Sequence, residues 1–250
     1  IVDVETSYQK TEHGGKDPLP FNPKNILVSV GINDEYYFTN HTQRVDEGCY
    51  YKIQAALDKT TLLVGHNIKF DLEWLLEAGF KYEGKVYDTM LGEYILNRGI
   101  RKSLTLDMCC KRRNLGEKSK LIQEEMDLGR SLEDIDADTV EEYGRIDVEI
   151  TRKLFDSQMD DFKSEQNRGL LRTAKMMNEF LIVLTDMERN GIYIDSETLL
   201  SVEREYNAEF TYLGQKIAKI VYEKMGDTTI NLASPEQLSW LIYSKKPKDK

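Results

Sequence analysis

Acidic side chains recur along this 250-residue chain in three places where spacing puts two functional groups on a common face. Asp3 and Glu5 lie two apart in a β-branched run, so on a strand both carboxylates project to one side while Val4 projects to the other. Like charges so placed repel unless a cation sits between them or water solvates them, and a D-x-E pair arises by chance roughly twice in a chain this acidic. Asn67 and Asp71 are four apart, hence neighbours on a helix, with Phe70 and Trp74 flanking the aspartate. Tyr143 and Asp147 repeat that spacing on a stripe continued by Ile150 and Leu154, which turns both polar groups toward the domain interior. Taken singly, each has a plainer reading: a solvated edge, a helix cap at Asn67, a hydrogen-bonded core tyrosine beside a capped acid. Taken together, the three occur in order, each on the type of secondary structure that would let it converge with the others, a conjunction that chance rarely produces.

The elements that must bring these groups together follow from hydrophobic period. The first five residues read as a strand, and Ile26 to Val30 with Tyr36 to Phe38 as a hairpin turning at Asn33 and Asp34. A polar stretch with Gly14, Gly15, Pro18, Pro20 and Pro23 marks a loop between the first two strands. Cys49, Ile53, Ala56 and Leu57 recur at helical spacing before a short apolar strand at 61–64 stopped by Gly65. A helix over 68–76, a short strand at 85–87 and a helix over 89–96 continue the βαβ rhythm of a layered α/β domain. The rest reads as helices, one carrying Val140 to Leu154, another Ala174 to Leu184 ended by Gly191, and a third capped by Asp195. The Lys-rich end from Lys245 is expected to fray.

Composition narrows the partners. A 40% hydrophobic content supports a core, and a net charge of −10 disfavours a broad basic nucleic-acid face. Cations inside a carboxylate cluster supply positive charge that such a surface lacks. Lys111, Arg112 and Arg113, with Lys118 and Lys120, read as a solvated face, with guidance of a single strand as the alternative. Three cysteines without CxxC spacing read as reduced thiols and disfavour zinc. His13 and His41 fall in expected loops and suggest nothing specific. No apolar run spans a membrane and no secretory pattern is visible, so a cytoplasmic protein with no membrane partner is expected. The start at Ile1, without an initiator Met, suggests a segment of something longer.

The motifs resemble those of the DEDD exonucleases in the tyrosine subgroup: DVET at 3–6, GHNIKFD at 65–71 followed by DTML at 88–91, and YGRID at 143–147. The histidine subgroup places its residue one position earlier than Tyr143, where this chain has Glu142. A second stretch, FLIVLTDMERNGIYID at 180–195 with INLASPEQL at 230–238, resembles the start of the polymerase module of family A DNA polymerases, leading into the thumb. The resemblance implies an α/β, RNase H-like mixed sheet flanked by helices over 1–165, followed over 166–250 by a smaller helical segment from the polymerase module. It implies 3′→5′ hydrolysis of single-stranded DNA to nucleoside 5′-monophosphates, in proofreading for a polymerase domain of the same parent chain. Two divalent cations, Mg²⁺ or Mn²⁺, are implied, held by Asp3, Glu5, Asp71 and Asp147, with Tyr143 orienting the attacking water. Asn67, Thr6, His66 and Phe70 are implied to position the 3′ end of single-stranded DNA in a bacterial or phage-infected cell. An RNase D-like exoribonuclease and a non-catalytic single-strand-binding module are the alternatives.

Overall fold

The computed structural model describes residues 1–8, 15, 17–117, 121–226 and 230–243. Gly14, His13, Lys118, Lys120 and the Lys-rich end from Lys245 lie outside the described residues. The chain forms two compact units, Ile1–Gly191 and Ile192–Lys250.

In the first unit β1 (Val2–Ser7), β2 (Ile26–Ile32) and β3 (Glu35–Phe38) form an antiparallel meander in the order β1-β2-β3. Asn33 takes a left-handed conformation (φ 54°) at the expected turn, as a two-residue hairpin requires. Helix α1 (Cys49–Asp58) leads to β4 (Leu62–Gly65), α2 (Ile68–Glu77) to β5 (Lys85–Asp88), and β4 pairs with β5 in parallel. The fold is α/β, as expected, but among the described residues the strands form two small sheets, antiparallel β1-β2-β3 and parallel β4-β5, rather than one mixed sheet; β1 and β4 lie side by side with no ladder between them. The reason is chemical: the Val4 N–H is taken by the Asp71 carboxylate at 3.0 Å. A side chain therefore occupies a donor that a continuous ladder would give to β4.

Alternation assigns the two faces. Val2, Val4, Val30 and Ile32 turn into one core with Ile53 and Leu57 of α1 and Ile68, Leu72 and Leu75 of α2. The register pairs Asp3 with Gly31 and Glu5 with Ser29, so both acids share the opposite face with Tyr36 and Phe38. That face is covered by α6 (Ala137–Lys163), against which α3 (Thr89–Leu96), α4 (Leu106–Arg113) and α5 (Leu121–Asp127) also pack. Two glycines allow the long helix to lie close. A Cβ at Gly31 would stand 2.9 Å from Val148 Cγ2, and one at Gly144 would run into the Tyr36 ring.

Helix α7 (Leu170–Asn190) packs on α2, α3 and β5 of the first unit. The compact body therefore continues to Gly191, past the division at 165/166 expected from the sequence. An amphipathic period shows that a helix has a partner but does not say which, and Ala174 and Leu181 find theirs in the first unit. In the second unit, α8 (Ser196–Met225) is capped as expected by Asp195, whose carboxylate accepts the Glu197 and Thr198 N–H groups at 3.1 Å each; α9 (Pro235–Tyr243) follows. No helix among the described residues is long and apolar enough to cross a membrane.

Candidate active site

Asp3 and Glu5 stand half-buried on β1, and Asp147 is buried on α6, one turn beyond the Gly144 contact. The three offer carboxylate oxygens that all lie within 4.8 Å of one another. Three carboxylates at that spacing, one of them cut off from water, fit a hard divalent cation by donor chemistry. Asp71 joins from the first turn of α2. Its Oδ1 accepts the Val4 N–H, and its Oδ2 lies 3.3 Å from where a Cβ on Gly65 would be. Burial first, then the charge of Asp3, pushes the Asp71 carboxyl well above its usual range, while the Val4 N–H pulls the other way. Asp71 thus abuts the cluster across the backbone of β1 and is outside the set of three mutually close ligands.

Tyr143 is half-buried one turn before Asp147 and packs against the cluster of Val28, Tyr36, Phe38 and Val140. Sequence reasoning missed Tyr36. Its hydroxyl lies 2.7 Å from Ser29 Oγ and donates to the Val140 carbonyl at 3.3 Å, tying sheet to helix beside Glu5. Burial, followed by the charge of Glu5, drives its phenol well above the usual range, so it stays neutral. Only its place opposite Gly31 in a hairpin could have signalled it.

The substrate-positioning candidates divide. Asn67 is exposed in a left-handed conformation (φ 65°) just before α2, and its side chain makes no cap; its backbone N–H instead donates to Asp88 Oδ1 at 3.0 Å. Phe70 is half-buried, edge-on to Trp74 at 6.5 Å between centroids. Thr6 follows a register shift after Glu5. His66 is held by other parts of the chain. Its Nδ1 lies 2.9 Å from Thr89 Oγ1 and its Nε2 2.8 Å from the Leu104 carbonyl, so both ring nitrogens are turned to protein.

Arg112 and Arg113 correct the solvated-face reading. Both reach inward to the buried Glu93, at 3.2 and 3.0 Å, and Arg113 continues to Asp161 at 2.7 Å. Lys111 pairs with Asp107 at 2.9 Å. His41, expected to be unremarkable, is buried and bound to the Ile135 carbonyl at 2.9 Å.

Residues 9–161 match the family model described as 3′-5′ exonuclease. That span contains Asp71, Tyr143 and Asp147, while Asp3 and Glu5 precede it. Over 194 residues the chain is 25% identical to DNA polymerase I of Borreliella burgdorferi, covering 78% of this chain and 20% of that protein. It is 29% identical to DNA polymerase I of Synechocystis over 184 residues (72% and 17%), and 24% identical to the DNA polymerase of Bacillus phage SP01 over 215 residues (80% and 23%). The chain therefore spans about a fifth of the length of these relatives. In fold it is similar to the POL domain of Pol1 from M. smegmatis, solved with DNA primer-template and dNTP. The TM-score is 0.58 at 19% identity, over 90% of this chain and 36% of that one. With well over half of its length matched by the family, this chain belongs to the 3′–5′ exonucleases of family A DNA polymerases.

Proposed function

We propose that the domain removes the 3′-terminal nucleotide of single-stranded DNA as a 5′-monophosphate, using two divalent cations, and edits for a polymerase portion of its parent chain in a bacterial or phage-infected cell. The carrying observation is the meeting of Asp3, Glu5 and Asp147 within 4.8 Å. These residues would hold Mg²⁺ or Mn²⁺, with Asp71 as the fourth carboxylate. When bound, such ions supply charge that acidifies a water and stabilises the leaving 3′ oxygen.

The chain's own groups do the positioning. Tyr143 orients the attacking water through its phenol; phenols ordinarily titrate near about 10, too high for an efficient general base at neutral pH. The exposed Asn67 amide hydrogen-bonds the terminal nucleotide, Phe70 stacks on a base, and Thr6 lies at the end of the strand that carries Asp3 and Glu5. His66 acts from behind, holding the chain at Leu104 against the turn that presents Asn67.

The test is a time course on single-stranded DNA and RNA oligonucleotides, labelled at either end, in Mg²⁺ or Mn²⁺ with and without chelator. Labelled mononucleotide should appear first from the 3′ end of DNA, and chelator should stop it. Faster loss from RNA would favour an exoribonuclease, and binding without cleavage an inert module; either outcome overturns the proposal.

A further inference from the structure

Asp88 is among the most completely buried acids of the molecule, 1% exposed, and no role in the chemistry described so far falls to it. It ends β5 directly opposite Gly65 at the end of β4, so the two strand-to-helix turns leave the sheet side by side. Its Oδ1 accepts two N–H groups from different helices: Met90 at 2.8 Å in the first turn of α3, and Asn67 at 3.0 Å just before α2. Its own N–H is fixed by Asn178 Oδ1 of α7 at 2.7 Å.

An N-cap needs one acceptor for one helix. This carboxylate serves two, and the second is the helix whose first turn carries Asp71. Asn67 also needs support, because a left-handed conformation at a non-glycine residue costs on the order of 1 kcal/mol. The space behind the turn is closed: a Cβ at Gly65 would meet Ile68 Cδ1 at 2.6 Å and Asp71 Oδ2 at 3.3 Å. Asp71 in turn grips the Val4 N–H, between Asp3 and Glu5 on β1.

We infer that Asp88 is a positioning residue for the acid site: it locks the left-handed turn at Asn67 and the start of α2, and so fixes where Asp71 stands against Asp3. The inference rests on Asp71 being a cation ligand. Groups that orient ligands in this way typically alter metal affinity by ten- to a hundredfold when removed.

Three variants of the full chain separate this role from simple capping of α3. Asp88→Asn keeps an oxygen for both helices. Asp88→Ser keeps a good cap for α3 but is too short to bridge to Asn67, and Asp88→Ala keeps neither. Mn²⁺ binding is measured by calorimetry, alongside thermal unfolding and hydrolysis of single-stranded DNA over a Mn²⁺ series. Asp88→Ser and Asp88→Ala should bind Mn²⁺ about tenfold more weakly. Hydrolysis by Asp88→Ser should recover as Mn²⁺ is raised, and Asp88→Asn should bind two- to threefold more weakly than wild type. A folded Asp88→Ser with wild-type Mn²⁺ affinity overturns the inference and leaves only a cap. If the serine and alanine variants both melt below the assay temperature, the same Mn²⁺ titration is run below their melting points, where an unchanged affinity of Asp88→Ser overturns the inference and a loss of about tenfold supports it. A wild-type chain that binds no Mn²⁺ overturns the cation-site reading itself, an outcome distinct from these.

Discussion

Asp71 and Glu93 are both acids closed off from solvent at 3% exposure, and their surroundings are opposite. Glu93 receives Arg112 and Arg113 and a hydrogen bond from Gln158 at 3.2 Å, so its charge is matched inside the protein by cations fixed on α4. The charges that act most on Asp71 are those of Asp3 and Asp88, both acids, and what eases its ionisation is a backbone N–H from Val4. An ion pair that closes on itself ties α3, α4 and α6 together. A carboxylate set next to other carboxylates stores repulsion that an ion from solution can relieve. The difference separates an acid that serves the fold from acids that serve a site, although burial alone ranks them as equals.

The contrast breaks most visibly through Asp3 and Asp147. Asp147→Ala or Asp3→Ala should reduce hydrolysis of a single-stranded oligonucleotide by about a thousandfold or more, on the order of 4 kcal/mol of transition-state stabilisation. The unfolding midpoint in chelator should hold or rise, since a buried or crowded negative charge is removed. Either variant retaining the wild-type rate removes that residue from the mechanism.

At the other acid the phenotype should invert. Arg113→Ala strips Glu93 of one of its two arginines and also frees Ser157 and Asp161, and should destabilise the fold by about 2–3 kcal/mol. The rate per folded molecule and its Mn²⁺ dependence should stay near wild type. A variant with wild-type stability in urea and a depressed rate would place Arg113 with the site instead, and the division between the two acids would fail.

How much of this was legible beforehand depended on the range of the signal. Asp3 and Glu5 two apart on a strand, Asn67 and Asp71 on a helix start, and Tyr143 and Asp147 on a helical stripe are local patterns, and local period places each of them. The turn at Asn33 and the cap at Asp195 were equally local. The pairing of Glu93 with Arg112 and Arg113 joins α3 to α4 across a run with no periodic link, so adjacent basic residues read as surface. Asp88 was hidden for another reason, because an aspartate before a helix reads as an ordinary cap and nothing nearby in sequence reports a second helix on the same oxygen. The break between β1 and β4 was beyond pattern reading too, since it comes from a side chain taking a backbone donor. His66 lies within the 65–71 motif, yet its ring nitrogens meet the protein, because its partners, Thr89 and the Leu104 carbonyl, arrive from distant turns.

The smallest effect separates the acids by pH. For Asp71 the folded carboxyl titrates above its ordinary value of 3.8, chiefly through burial and then through Asp3. Between 3.8 and that raised value the folded chain holds a proton that the unfolded chain releases. In chelator, stability due to this group is therefore complete below 3.8 and falls as pH rises through the folded value, with a slope of at most about 1.4 kcal/mol per pH unit. Asp71→Asn cannot lose that proton, so subtracting its profile from that of wild type, by urea unfolding at a series of pH values, isolates the slope from every other carboxylate. Mn²⁺ should restore wild-type stability at neutral pH by taking the proton's place, and should do so far less for Asp71→Asn. Parallel profiles for the two proteins in chelator would mean that Asp71 folds ionised at no cost, and its difference from Glu93 would then lie in geometry alone.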